Sequence, residues 1–209
     1  MNKNLKTFFN RKYSKNLIMK TIKIGNKKIG EKYDCYIIAE IGSNFDGSLT
    51  KAKKLMKLAK DSGADAAKFQ SFKTELLLSK KGFDNKSAFQ SHWKKSVWNT
   101  YKDAEFPRKW HKILNDYAKK INIDFFTSPW DFEAVDIIVN LDVPAIKIGS
   151  GDITYLEFLE YVGKTKKPIL LATGASNMKE VEMAVKAIKS TGNDKIILMH
   201  SVTQYPSPI

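Results

Sequence analysis

From residue 34 onward the sequence alternates between two apolar patterns, and that alternation leaves few folds open. Continuous apolar runs occur at 35–41, 65–70, 123–128, 144–150, 168–174 and 195–201. None keeps a strict period of two, which suits strands covered on both faces in a parallel sheet. The stretches between them carry the helical period. Trp110, Ile113, Leu114, Tyr117, Ala118 and Ile121 share one helix face, with Pro107 near the first turn. Leu49, Ala52, Leu55, Met56 and Ala59 do the same behind Ser48, an N-cap residue. Val181, Ala184, Val185 and Ile188 follow an Asn177–Glu180 capping pair, and Thr154 with Glu157 has the pattern of another capping box.

Alternating strands and helices mean an α/β protein, either an open doubly wound sheet or a closed barrel. The first strand ends in AEIGSNFDG, without the GxGxxG turn of a dinucleotide fold. Polar residues instead gather at or near the C-terminal ends of the apolar runs: Glu40, Lys68, Gln70, Thr127, Lys147, Ser150, Thr173 and His200. In a (β/α)8 TIM barrel those ends converge on one mouth, where the chemistry is done. A full barrel takes roughly 250 residues, so the expectation is an incomplete barrel of about six strands over 34–209. Residues 21–33 read as a β-hairpin around Gly25 and Asn26, and residues 1–20 as a basic, disordered tail in which Met19 is an alternative start. The long interval 73–106, holding Trp93, Trp98 and Tyr101, reads either as a lid at the mouth or as an extra packing helix.

The net charge is +14. Residues 1–33 hold ten Lys or Arg against Glu31 alone, so the excess is concentrated ahead of the barrel. The tail lacks regular aromatic interleaving and no recognition motif follows it, which argues against a nucleic-acid arm. No apolar run is long enough to span a membrane, and the N-terminus lacks a secretory signal, so a cytoplasmic protein is expected. Cys35 is the single cysteine; it excludes an internal disulfide and reads as a buried small residue.

Lys68 and Lys147 each sit inside an apolar strand, in AAKFQ and AIKIG. Burying a cation is costly unless an anion or hydrogen-bonding ligand compensates it, so the pair suggests a doubly anionic substrate. The small residues of KIGSG allow a phosphate to approach backbone amides. Glu40 supplies a carboxylate suited to moving a proton. His92 and His111 read as incidental, and His200 is balanced between a site residue and a packed strand end. Tyr205, in QYPSP, either stacks on a substrate or packs.

The ordered series YIIAEIGSNFDGSL, GADAAKFQSFK, FFTSPWD, PAIKIGSGD, KPILLATGAS and LMHSVTQYPSP resembles the N-acetylneuraminate (sialic acid) synthase family over about residues 34–209. The resemblance implies a C–C bond-forming transferase that condenses phosphoenolpyruvate with an N-acetylmannosamine-like aldose and releases phosphate, in sialic acid biosynthesis. It implies phosphoenolpyruvate contacts from Lys68, Thr127, Lys147 and Ser150, and Glu40 beside the reacting carbons. Gln70, Asp152 and Tyr205 would line the sugar pocket, with Thr173 and Thr203 among the substrate-binding positions. A manganese or magnesium ion is implied for the complete enzyme, with its two histidine ligands, and an antifreeze-like domain, downstream of the last motif; no metal ligand is expected within 1–209. A barrel lacking two strands exposes open, hydrophobic sheet edges, so a homodimer or a complementing second chain is the expected partner. The alternatives are another phosphoenolpyruvate aldol synthase, disfavoured because Arg11 and Arg108 are the only arginines for a sugar phosphate, and a non-catalytic nucleic-acid-binding fragment.

Departures from the family pattern are also visible. Asn44, Phe45, Asp46 and Gly47 replace the usual Asn-His-Asn-Gly, which implies that any role of that imidazole is lost. Asp152 stands for the more common Glu, Ala172 for a frequent Ser, and Ser201, Val202 and Thr203 for Cys-Thr-Ser or Cys-Thr-Asn.

Overall fold

A computed structural model describes residues 20–82, 90–204 and 207. A short antiparallel hairpin, β1 (Ile22–Ile24) and β2 (Lys27–Ile29), precedes six strands that alternate with helices. These are β3 (Ile38–Gly42), α1 (Leu49–Asp61), β4 (Ala66–Ser71), α2 (Thr74–Leu77), α3 (Val97–Asp103) and α4 (Trp110–Ile121). There follow β5 (Asp124–Pro129), α5 (Phe132–Asn140), β6 (Ile146–Ile148), a 3-10 turn (Ser150–Asp152), α6 (Leu156–Lys164), β7 (Ile169–Ala172), α7 (Met178–Ser190) and β8 (Ile196–Met199). All pairings after the hairpin are parallel, in the orders β3-β4-β5 and β6-β7-β8. β5 lies beside β6 without a hydrogen-bonded ladder between them. The result is a partial barrel of six strands, in which the described residues form no ladder between β3 and β8.

The helices form where the apolar period places them. Ser48 accepts the Lys51 N–H at the start of α1, and Asn177 with Glu180 closes a reciprocal capping box on α7. The capping box read at Thr154 and Glu157 does not form. α6 begins at Leu156 with Tyr155 in the cap position and no side-chain cap, because the 3-10 turn runs straight into it and the Asp152 carbonyl already accepts the Tyr155 N–H. Cys35 is exposed rather than buried: β3 begins only at Ile38, so Cys35 lies ahead of it, beside the gap between β3 and β8.

Between strands and helices lies an aromatic layer. Phe45 packs on Trp110, Phe106 and Phe69 at centroid distances of 5.4, 5.8 and 6.3 Å. Phe69 in turn meets Phe125. The described part of the 73–106 interval joins this packing: Val97 and Phe106 are buried, and Tyr101 packs on Phe72.

A polar network ties the segment that follows this interval to the strand ends. Arg108 donates to Ser71 Oγ at 2.6 Å and pairs with Asp131, whose carboxylate also caps α5 by accepting the Ala134 N–H at 2.8 Å. His111 is fully buried. Its Nδ1 lies 2.8 Å from the Arg108 carbonyl and therefore carries the proton, leaving Nε2 to accept from Ser71 at 2.8 Å. Burial pushes the imidazole down to about 4, which keeps it neutral. A serine–histidine pair sealed in this way is a structural brace.

The hairpin closes the opposite, N-terminal end. Ile24 is fully buried, Lys27 pairs with Asp65, and the Tyr36 hydroxyl donates to Asp124 at 2.6 Å. Gly25 turns the hairpin with φ +52°, and a Cβ there would lie 2.4 Å from Asp124 Oδ2. Gly25→Ala therefore combines backbone strain with a clash, and is expected to cost about 1–3 kcal/mol in denaturant unfolding. Asp131→Ala removes a helix cap and leaves the Arg108 guanidinium half-sealed without its carboxylate; a loss of about 3 kcal/mol is expected in the same measurement.

Candidate active site

The strand register decides which side chains reach the mouth. Glu40 of β3 is paired with Lys68 of β4, and Lys68 with Phe126 of β5. Side chains alternate along a strand, so Lys68, Gln70, Phe126 and Ser128 face the lumen while Phe69, Phe125 and Thr127 face the helix layer. Lys68 is 5% exposed. Its ammonium lies 2.5 Å from Glu40 Oε2 and donates to Ser128 Oγ at 3.1 Å.

A bulge in β3 between Glu40 and Gly42 re-aims the strand end. Gly42 takes φ +58°, and a Cβ placed there would lie 3.5 Å from Glu40 Oε1, 3.7 Å from Gln70 Nε2 and 3.9 Å from Asn44 Nδ2. Three polar groups thus converge on one spot of bare backbone.

Lys147, on the lumen side of β6, is half-buried. Burial first, and then the neighbouring Lys68 ammonium, push it down to about 8, against the opposing pull of Glu40 and Asp152. Asp152 is driven up to about 6 by burial, opposed by Lys147. Its Oδ2 is buried without a hydrogen-bond partner. A Cβ at Gly149 would meet this oxygen at 3.3 Å and the Trp130 ring at 3.6 Å, so carboxylate and indole flank the same backbone. Ser150 Oγ accepts the Gly174 N–H at 3.1 Å, and Thr173 donates to the Met199 carbonyl at 3.1 Å. Thr203 packs against Gly174.

The mouth therefore gathers two cations, Lys68 and Lys147, two carboxylates, Glu40 and Asp152, and the polar groups of Gln70, Ser128 and Ser150. Thr127 is buried with an unpartnered hydroxyl on the opposite side of β5 from Lys68. Ser128, which the sequence pattern does not single out, reaches Lys68 because the β4–β5 register sets it one alternation beyond Phe126. Thr173 stands at the end of β7 with its hydroxyl turned to β8. His200 is exposed at the end of β8, and Tyr205 lies outside the described residues. Phe45 belongs to the aromatic layer, so its position in this chain is a core position and faces away from the lysines.

Among the described residues no three His, Cys, Asp or Glu side chains come together as a metal site. No described helix is long and apolar enough to cross a membrane. A groove of about 810 Å³ lies at the other end of the strands, but four of its five lysines are engaged: Lys20 and Lys167 pair with Asp194 and Asp142, while Lys166 and Lys195 donate to backbone carbonyls.

The fold and sequence both have known counterparts. A sialic acid synthetase from Leptospira borgpetersenii, solved in complex with citrate, superposes with TM-score 0.78 at 31% identity, covering 90% of this chain and 61% of that one. A DAHP synthase from Thermotoga maritima shares the fold at TM-score 0.61 and 20% identity, over 90% of this chain and 47% of that one. The N,N'-diacetyllegionaminic acid synthase of Campylobacter jejuni is 41% identical over 177 residues, 82% of this chain and 52% of the relative. The chain thus spans about half the length of the curated relatives it matches. The NeuB family model matches residues 55–209. With its lysine-lined mouth on a parallel partial barrel, the chain belongs to the NeuB family, among relatives that include sialic and legionaminic acid synthases.

Proposed function

We propose that this chain supplies the phosphoenolpyruvate-binding part of a nonulosonic acid synthase, which joins phosphoenolpyruvate to an N-acetylmannosamine-like aldose. The observation that carries the reading is the pair of lysines, one buried and one half-buried, at the C-terminal mouth of the strands. Two ammonium groups held partly out of water gain most from a compact ligand with two anionic groups, and phosphoenolpyruvate has a carboxylate and a phosphate. Lys68 and Ser128 take one anionic group. Lys147, Ser150 and the backbone around Gly174 take the other.

In the reaction, C3 of phosphoenolpyruvate attacks the aldehyde carbon of the open-chain sugar, forming the new C–C bond. Water adds at C2, and the tetrahedral intermediate collapses with cleavage of the C–O bond, expelling inorganic phosphate. Glu40, at the edge of the lysine pair, is placed to hold and move a proton of the attacking water or of the sugar hydroxyl. Gln70, Asn44 and Asp152, with the Trp130 ring beside it, form the wall for the aldose. The unpartnered Asp152 oxygen suits a sugar hydroxyl donor. Thr127 supports β5 from behind this cradle, and Thr173 and Thr203 shape its β7–β8 side. A sugar-phosphate substrate is a poorer match, because Arg108 is committed to Ser71 and Asp131.

Calorimetric titration of the purified chain with phosphoenolpyruvate tests the reading. Measurable binding is expected at pH 7, and Lys147→Met should weaken it roughly ten- to hundredfold, the range of one charge-assisted hydrogen bond. Absence of binding both in the wild type and in Glu40→Gln, or binding indifferent to Lys147, overturns the assignment. The pH dependence has a definite sign. Lys147, faced by Lys68, Glu40 and Asp152, is held down to about 8, so it is charged below that value and neutral above it. Raising the pH from 7 to 9 should weaken binding by roughly tenfold in the wild type, the loss of protonated fraction one unit above the pKa, and leave Lys147→Met nearly unchanged.

A further inference from the structure

We propose that Glu40 is an internal competitor of the anionic substrate: in the ligand-free protein its carboxylate occupies Lys68, and the substrate must displace it to bind. This rests on the phosphoenolpyruvate reading of the site. The geometry of the pair is asymmetric. The Lys68 side chain is 6% exposed and fixed by Ser128 on a neighbouring strand, whereas the Glu40 side chain is 50% exposed. A buried ammonium requires a counter-ion. Glu40 provides it at 2.5 Å, and being half in water it leaves at little cost in desolvation.

An incoming carboxylate therefore exchanges one anion for another on Lys68 instead of meeting an unpaired cation. Glu40 lowers the affinity for the anion it helps to process. The exchange has a mechanistic consequence: once displaced, the Glu40 carboxylate is free of its ion pair and stands next to the bound anion, so substrate binding itself releases the proton-handling group. Glu40 is suited to this movement because it sits on β3, the strand at the open edge, beside a bulge and Gly42.

The test is titration with phosphoenolpyruvate, at pH 7, of wild type, Glu40→Gln, Lys68→Met and the double variant. Glu40→Gln removes the competing charge and is expected to bind roughly fivefold more tightly, the upper end for one partly exposed ion pair. In the Lys68→Met background the same change should give no gain, since there is no ammonium to free. Glu40→Asp keeps the charge one methylene farther away and should fall between wild type and Glu40→Gln; it also serves if Glu40→Gln lacks the native circular dichroism spectrum. Binding detectable only in Glu40→Gln supports the competitor as well. Wild-type binding that Glu40→Gln leaves equal or weakens overturns the inference while the phosphoenolpyruvate reading stands. Binding by none of the proteins defeats both.

Discussion

Everything at the mouth of this barrel follows from keeping the Lys68 ammonium out of water. An isolated buried cation is unstable by several kcal/mol, so the surrounding strands must bring it partners: Glu40 from one side and Ser128 from the other. Both arrive through parallel register, Glu40 directly opposite Lys68 and Ser128 one alternation beyond Phe126. A slip of one residue would send Lys68 into the helix layer and Phe69 into the lumen. The aromatic packing of Phe69 with Phe45, Phe106 and Phe125 is what forbids that slip. The core behind the strands and the charges in front of them thus specify the same register.

Much of this is legible in the sequence, because it rests on periodicity and on the cost of burying charge. The six strands and the barrel class follow from apolar runs ending in polar residues, and Lys68 and Lys147 are conspicuous as cations within those runs. What is not legible depends on which way a side chain points at a strand end. Thr127 and Ser128 are adjacent hydroxyl residues, and only the pairing of β4 with β5 turns Ser128 toward the lysine. Phe45 stands at a histidine position of the motif, but its surroundings, three aromatic rings supplied by β4, α4 and the segment before it, are set by tertiary contacts. His111 carries no local signal either: its neutrality comes from burial and from a serine forty positions earlier. Cys35 shows the opposite error, an apolar neighbourhood in sequence that lies beyond the end of the strand.

The two ends of the strands divide their labour by how their charges are resolved. At the hairpin end the carboxylates are satisfied within the protein. Asp65 accepts from Lys27 and from the Ile37 N–H, which hold its carboxyl below the usual range despite burial, and Asp124 accepts from Tyr36. Burial and that same carboxylate drive the Tyr36 phenol far upward, so the hydroxyl stays a donor. At the mouth the charges are only partly resolved: Lys147 has no carboxylate partner within salt-bridge distance and Asp152 has an orphan oxygen among the described residues. Satisfied polar networks stabilise, whereas unsatisfied charged groups in a cleft mark a candidate site. The fold places the second kind where barrel enzymes keep their chemistry.

Position within the sheet separates rigid from movable parts. Lys68, Ser128 and Lys147 belong to β4, β5 and β6, each of which has a strand on both sides. Ser150 and Gly174 are locked to each other across the ends of β6 and β7. Glu40 alone among the charged groups beside the lysines comes from β3, whose far side is open and whose flanking residue Ile37 is 55% exposed. Preorganised cations make an anion site without reorganisation, while a group that must change partners during a reaction needs a backbone with room to adjust. The lysines are built on the interior strands and the carboxylate on the edge strand, a placement that lets the carboxylate move in the proposed exchange without disturbing the lysines.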